Sequence, residues 1–372
     1  MNRITNHQLY RLIFAHLAEI IREPAVLFWG IVFPILMAWG LGIAFTQKGE
    51  THLKMAIVKT ITASDTLKET KLAVYLLANG TKKDSTYSIV LKNEKLGDVS
   101  LTFFETSWAN AYTMLKKGQV SLIVEDKPAD TKYHFDPASA EAKTTYQLVS
   151  NLSAYGAIFY NANQSTIEPL TLKGTRYVDF LIPGLLAMGI MMSCTWGISY
   201  TIIDRRSKKL LRRMVATPMR KSNFLLALIT ARFTMNVVEG VLLFLFAWLY
   251  FGTSVQGSWP ALIVLFLAGN IAFSGISILI SSHTSNPEVG NGLINALVTP
   301  MMVMSGIFFS YHNFPDWTIP IIQYLPLTMI ADSFRSIFNE GAGFIDVWRE
   351  ALVLTSVGVV CFVSGLKIFK WY

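Results

Sequence analysis

The sequence predicts an α-helical polytopic membrane protein with six transmembrane helices and an α+β extracytoplasmic domain inserted between helices 1 and 2. Three observations lead there. Of 372 residues, 52% are hydrophobic and only 15% charged, more apolar material than the core of a soluble chain needs. From Phe180 to Ile203 the chain carries no charge over about the length a helix needs to cross a hydrocarbon core. Directly after it, Arg205, Arg206, Lys208, Lys209, Arg212, Arg213, Arg220 and Lys221 stand against a single acid, Asp204. Short loops so rich in Lys and Arg stay in the cytoplasm, which orients this span and, through it, the rest.

Taken in order, residues 1–23 read as an interfacial helix, with Leu9, Leu12, Ile13, Leu17, Ile20 and Ile21 on one face and Arg3, His7, Arg11 and Arg22 elsewhere. Pro24 breaks its direction. Residues 24–46 form the first span, whose internal Pro34 is tolerated where neighbours satisfy the freed carbonyl. The preceding polar and amphipathic residues, together with the apolar length, argue against a cleaved signal peptide.

Residues 47–176 change character: charges of both signs alternate with short apolar runs. LKMAIVKT (53–60), VSLTFFET (99–106), VSLIVED (120–126) and TKYHFDP (131–137) read as strands. Residues 66–78 and 107–117 have helical spacing and end at Gly80 and Gly118, and a longer helix runs from Ala138 to about Asn163. The domain is long enough to bury a core without staples. Because it lies between a span leaving the cytoplasm and one returning, it lies outside. Residues 177–372 hold the other five spans: the second at 180–203, then 224–251, 261–280, 289–309 and 347–369. Residues 311–345, with Pro315, Pro320 and Pro326 among apolar stretches too short to cross, read as helices dipping into the outer leaflet. Lys367 and Lys370 place the last residues in the cytoplasm.

Within the basic segment 204–222, Leu210, Leu211, Met214 and Val215 recur at helical spacing with Arg212 and Arg213 opposite, and Pro218 ends the pattern. Such a helix is either a set of charges that orients the protein or a lever that a soluble partner pushes. In the third span Arg232, Asn236 and Glu239 share one face, which must point at protein or water because an ionisable group at mid-membrane costs about 2.5–3.5 kcal/mol. That face is either a polar seam between helices or the wall of a substrate path. Met188, Met191 and Met192 in the second span and Met301, Met302 and Met304 in the fifth are either packing filler or a pliable surface for varied apolar ligands. Asn270, Ser274 and Gly275, with Asn291 and Asn295, suit close helix approach.

Several classes are excluded. The net charge of +8 is concentrated beside spans, where it matches membrane lipid and not nucleic acid. Both cysteines, Cys194 and Cys361, fall in apolar spans, so the outer domain has no disulfide. No GxxxxGK[ST], HExxH or GxSxG pattern is present, and His134 beside Asp136 lacks a third ligand. The chain is therefore not expected to hydrolyse ATP or to hold a metal.

REPAVLFWGIVFPIL, then a soluble domain, YVDFLIPGLLAMGIMM, the RR and LLRRMVATPMRKSNFLLA of the basic segment, and PDWTIPIIQYLPLTMIADSFR follow one another in an order that resembles the membrane subunit of ATP-binding-cassette exporters of the type-2 class. The resemblance covers nearly the whole chain. It implies a permease of the bacterial cytoplasmic membrane, paired with a second copy or a homologous permease, docked on separate ABC ATPase subunits that hold ATP and magnesium. On that resemblance Glu19, Arg22, Glu23 and Pro24 are similar to the connecting helix, and Arg205, Arg206, Leu210, Leu211, Arg212, Arg213, Thr217 and Pro218 to the coupling helix. Residues 313–338 resemble the outer re-entrant helices. Ser207, Lys208 and Lys209 depart from the acid and glycine that members often carry. The implied activity is export of an amphipathic or lipid-like substrate such as a drug or lipid. The competing expectations are an ion-gradient-driven secondary transporter and a membrane-anchored ligand-binding receptor.

Overall fold

The computed structural model describes residues 2–46, 51–59, 72, 75–76, 80–83, 85–92, 98–126, 131–137, 139–155, 174, 176–215 and 220–371. They fall into two compact units, Met1–Thr46 with Leu172–Tyr372, and Gln47–Thr171.

The first unit is helical. Helix α1 (Asn2–Arg22) ends where Glu23 turns extended (φ −97°, ψ 100°), the backbone region to which a following proline confines a residue. Helix α2 (Pro24–Phe45) follows and carries a π-helical turn at Phe28–Val32. Its cause lies in the sequence: Pro34 has no N–H for the Gly30 carbonyl and its ring crowds that oxygen, and the wider turn relieves both. Helix α5 (Tyr177–Ser207), numbered after the two helices of the second unit, has a similar turn at Thr195–Tyr200. A short helix α6 (Leu210–Val215) leads to α7 (Lys221–Phe251), which stops at Gly252 in the left-handed conformation (φ 66°). Helices α8 (Trp259–Ser281) and α9 (Pro287–Met304) are joined by a turn in which Asn286 accepts from the Glu288 N–H at 2.9 Å and Pro287 takes the first helical position. Short α10 (Ile319–Gln323), α11 (Pro326–Asn339) and α12 (Phe344–Lys367) complete the unit.

Among the described residues five helices are long and apolar enough to cross a membrane: α2, α5, the Ser222–Phe251 part of α7, α8 and α12. The chain is thus a multi-pass membrane protein. The expected span at 289–309 corresponds to α9, which stops at Met304 before Gly306 in the left-handed region (φ 68°) and lies outside those five. Helix α5 is the hub, buried along most of its length against α2, α7, α8 and α11. Helices α8 and α12 approach until their main chains touch: a Cβ on Gly358 would stand 2.7 Å from the Ile271 carbonyl carbon, and one on Gly365 2.9 Å from the Leu279 nitrogen. Small residues at such a crossing let backbone dispersion contacts replace the hydrophobic drive that lipid does not supply.

The segment expected to dip into the outer leaflet holds α10 and α11. One face of α11 is buried through Leu327, Ile330, Ala331, Phe334, Ile337 and Phe338. Arg335 fixes it to the start of α5, its guanidinium 3.7 Å from the Phe180 ring centroid and donating to the Gly306 and Phe180 carbonyls at 2.5 and 3.2 Å. Asp332 pairs with Arg335 at 3.0 Å and accepts from the Tyr311 hydroxyl at 3.0 Å.

The second unit is a mixed sheet with strands β1 (Thr51–Lys59), β2 (Thr81–Lys83), β3 (Thr86–Leu91), β4 (Val99–Thr106), β5 (Leu122–Asp126) and β6 (Lys132–His134), in the order β2-β3-β4-β1-β5-β6. Central β1 runs parallel to β4 and β5, and the remaining pairs are antiparallel. The period-two alternation of β1 feeds both faces: Leu53, Met55 and Ile57 join a core with Val149 and Leu152 of α4 (Ala140–Tyr155). Ala56 and Val58 join another with Ala111 of α3 (Trp108–Lys116). Strands β2 and β3 are additions to the four that the sequence suggests. The rest of the helix expected at 66–78, beyond Leu72, Tyr75 and Leu76, and the end of the one expected to reach Asn163 lie outside the described residues.

Candidate functional site

Two clusters collect the residues singled out from the sequence. The first lies where α1, the end of α5, α6, the α8–α9 turn and the last residues of the chain meet. Although adjacent in sequence, Arg205 and Arg206 point to different partners, because neighbouring residues on a helix are about 100° apart. Arg205 pairs with Glu19 of α1 at 2.5 Å and its guanidinium lies 5.5 Å from the Phe224 ring centroid. His16, buried beside that pair, lies 3.3 Å from Arg205 and 3.4 Å from Glu19. Burial, with the Arg205 charge nearby, lowers the His16 pKa from 6.5 to about 4, so the imidazole is neutral at physiological pH.

Arg206 is buried and donates to the carbonyls of Lys370 (2.8 Å), Ser281 (2.6 Å), Ser282 (3.1 Å) and Thr284. The last carbonyls of a helix have no partner within it, and Arg206 supplies one to the end of α8 from another helix. Its face rests on the Phe369 ring, 4.9 Å from the centroid, and the Lys370 N–H donates to the Ser282 carbonyl at 2.9 Å. The turn at 281–288, which carries no Lys or Arg, is thereby pinned at the same end of the unit as the basic segment and the final residues.

Lys209, in the left-handed region (φ 58°), breaks the helix between α5 and α6. In α6, Leu211 is fully buried and Met214 packs on the core, while Leu210 is exposed along with Arg212 and Arg213. Leu210 thus leaves the apolar face expected for it. On α1 the inward face comprises Leu9, Leu12, Ile13, His16, Leu17 and Ile20, whereas Ile21, expected among them, is exposed with Tyr10 and Phe14 as a second apolar stripe. Arg22, Glu23 and Pro24 are exposed, and Thr217 and Pro218 lie outside the described residues.

The second cluster lies between the spans. Arg232, Asn236 and Glu239 of α7 are all buried, as one face of a helix requires. Arg232 and Glu239 do not neutralise each other directly: no ion pair joins them among the described residues. Instead each packs across a glycine in one of the two π turns. A Cβ on Gly197 would stand 2.5 Å from the Arg232 guanidinium carbon, and one on Gly30 2.8 Å from the Glu239 carboxyl carbon. Asn236 donates to the Asn270 side-chain oxygen at 2.6 Å and to the Cys194 sulfur at 3.4 Å, and Ser274 donates to the same sulfur at 3.7 Å, tying α5, α7 and α8 together. Met188, Met191 and Met301 belong to the buried hydrophobic core of the helical unit, and Met192 and Met302 are partly buried against it. Gly30 stands four positions before Pro34, but the sequence does not set it or Gly197 apart from the other glycines of α2 and α5. Their pairing with Arg232 and Glu239 was not legible either.

The profile of the ABC-2 family transporter proteins matches residues 24–367. The chain belongs to that family. Curated relatives of this ABC-2 chain include a linearmycin resistance permease protein of Bacillus subtilis (strain 168), 23% identical over 62% of this chain and 62% of the relative. An inner membrane transport permease of Escherichia coli (strain K12) is 27% identical over 36% of each chain. Nodulation protein J of Sinorhizobium fredii is 24% identical over half of this chain and 71% of its own length. The chain therefore spans less than two thirds of the length of the first two. What this ABC-2 chain offers chemically at its basic end is Arg205 paired with Glu19 of α1, a buried Arg206 that holds backbone carbonyls, and Arg212 and Arg213 exposed on α6.

Proposed function

We propose that the chain is the membrane-spanning permease subunit of an ATP-driven exporter that moves an amphipathic or lipid-like substrate outward across a bacterial cytoplasmic membrane. ATP and magnesium act in separate ABC ATPase subunits, and a second permease copy or a homologous permease completes the complex. The observation that supports this most directly is the anchoring of α6. Leu211 and Met214 fix one side of the helix in the membrane core while Arg212 and Arg213 stand free on the other. A push on those two arginines reaches α5 through the packed side and α1 through the Arg205–Glu19 pair, so the short helix is built to transmit force. One relative is named as a linearmycin resistance permease protein, which fits a role in export.

In this reading α9 is the sixth crossing, both termini and the 204–222 segment face the cytoplasm, and residues 47–176 lie outside. Helices α10 and α11 close the outer end. Thr217 and Pro218 finish the coupling segment, and Glu19, Arg22, Glu23 and Pro24 belong to the connecting helix. Met188, Met191, Met192, Met301 and Met302 line or support the path.

The test is capture of the tagged, detergent-solubilised protein from its own membranes, with ATP hydrolysis measured on the captured complex. Hydrolysis that copurifies with the wild type and is lost in the Arg212→Glu/Arg213→Glu variant is the expected result. Substrate movement at full rate by this chain alone in nucleotide-free vesicles refutes the reading in favour of a gradient-driven carrier. A cysteine at position 212 labelled from outside intact cells refutes the topology.

A further inference from the structure

Among the first four spans lies a narrow cavity of about 20 Å³, room for one water-sized group. Gly30, Pro34, Leu186, Gly189, Asn236 and Glu239 contribute to its wall. Two residues of that wall carry acceptors without donors. The Asn236 Oδ1 has no partner, and the Glu239 carboxylate, on a residue only 7% exposed, takes no hydrogen bond or ion pair among the described residues. Arg232, the cation on the same helix face, is seven residues away, about 10 Å along the axis, and packs across Gly197. A buried carboxylate with no donor is strongly disfavoured until it takes up a proton or meets a cation, and a small donor with positive charge beside it and Asn236 Oδ1 meets both needs. Beyond them the wall is apolar, with Leu243 and Phe266.

We propose that this cavity binds the ammonium head of a cationic amphiphile, a primary amine whose N–H groups donate to the Glu239 carboxylate and to Asn236 Oδ1. Its hydrocarbon chain leaves the cavity past the partly exposed Leu186 and Phe266. The proposal rests on the reading of an amphipathic cargo given above and narrows that cargo to one chemical class. Gly30 is the steric determinant: a methyl group there would displace the carboxylate. The volume admits –NH₃⁺ and rejects a trimethylammonium head.

The test uses the full chain in nanodiscs of zwitterionic lipid, titrated calorimetrically against empty nanodiscs with dodecylamine, dodecanol and dodecyltrimethylammonium. Dodecylamine is expected to bind the wild type about 10-fold tighter than either of the others. That preference disappears in Glu239→Gln and shrinks in Gly30→Ala. Equal affinity for the three probes overturns the proposal on the native protein alone, whatever the variants do. A preference that survives in Glu239→Gln overturns it as well. Copurifying ATP hydrolysis, measured on the same wild type, reports separately on the exporter: its absence with the amine preference intact removes the exporter and leaves the site, and the converse removes only the site.

Discussion

Replacing Arg206 by alanine removes one guanidinium from four backbone carbonyls that belong to the end of α8, the turn after it and the chain's last residues. Each hydrogen bond to a charged donor is worth about 1.5–3 kcal/mol. The gross loss is offset in part, because the burial cost of the cation disappears and some of the freed oxygens reach water. The net loss expected for deleting one partner of a buried charged network is about 3–5 kcal/mol. At about 2 °C per kcal/mol, suited to a long chain, the detergent-solubilised protein melts about 6–10 °C lower. Arg206→Lys keeps the charge but presents three donors from one point in place of a planar fork, so it loses about half as much. Arg213→Ala, on an exposed side chain, stays within about 0.5 kcal/mol of the wild type. The assay is thermal unfolding followed by intrinsic fluorescence in one detergent. If Arg206→Ala and Arg213→Ala melt within about 2 °C of each other, the distinction between a structural and an available arginine is wrong.

Gly358→Ala drives a methyl group into the main chain of α8 and is expected to cost about 1–3 kcal/mol or more, whereas Gly40→Ala, with no atom within 4 Å, stays within about 1 kcal/mol; melts of the two variants check this. His16 binds its proton more weakly folded than unfolded, so its contribution is complete above pH 6.5 and is lost as pH falls, reaching a deficit of about 3 kcal/mol near pH 4. His16→Phe should flatten that part of the stability profile, as melts between neutral and acid pH will report. The Arg212→Glu/Arg213→Glu variant should keep its melting temperature within about 1 °C while losing copurifying ATP hydrolysis, a split that a folding defect cannot produce.

The spans were readable because uninterrupted apolar length is a one-dimensional property, and β1, β4, β5 and β6 because their runs are bounded by turn formers. Strand β3 was also written in the chain: Tyr87, Ile89 and Leu91 alternate with outward residues, but Lys and Ser flank them and β2 is three polar residues long. The different duties of Arg205 and Arg206 were not readable. Their hydrogen-bonding partners lie 75 to 189 residues away, and two adjacent arginines look alike until the helix carrying them is placed against others. For the same reason the glycine partners of Arg232 and Glu239 were not readable, since face-sharing on one helix says nothing about a glycine on the next. Ile21 and Leu210 are exposed beside buried apolar neighbours; a helical wheel gives the direction of a side chain and not whether a neighbour is there to cover it.

The two π turns carry a further consequence for how this chain tolerates change in length. An α-helix rotates about 100° per residue, so losing one residue normally swings everything beyond it to another face. A turn closed by i→i+5 bonds holds a surplus residue that can be shed by reverting to i→i+4 closure. A single-residue deletion inside Thr195–Tyr200 would therefore leave Arg205 facing Glu19 and Arg206 facing Ser281, whereas the same deletion a turn earlier, in regular helix, would put Arg206 in the place of Arg205 and Ser207 in the place of Arg206, leaving the carbonyls at the end of α8 without a guanidinium.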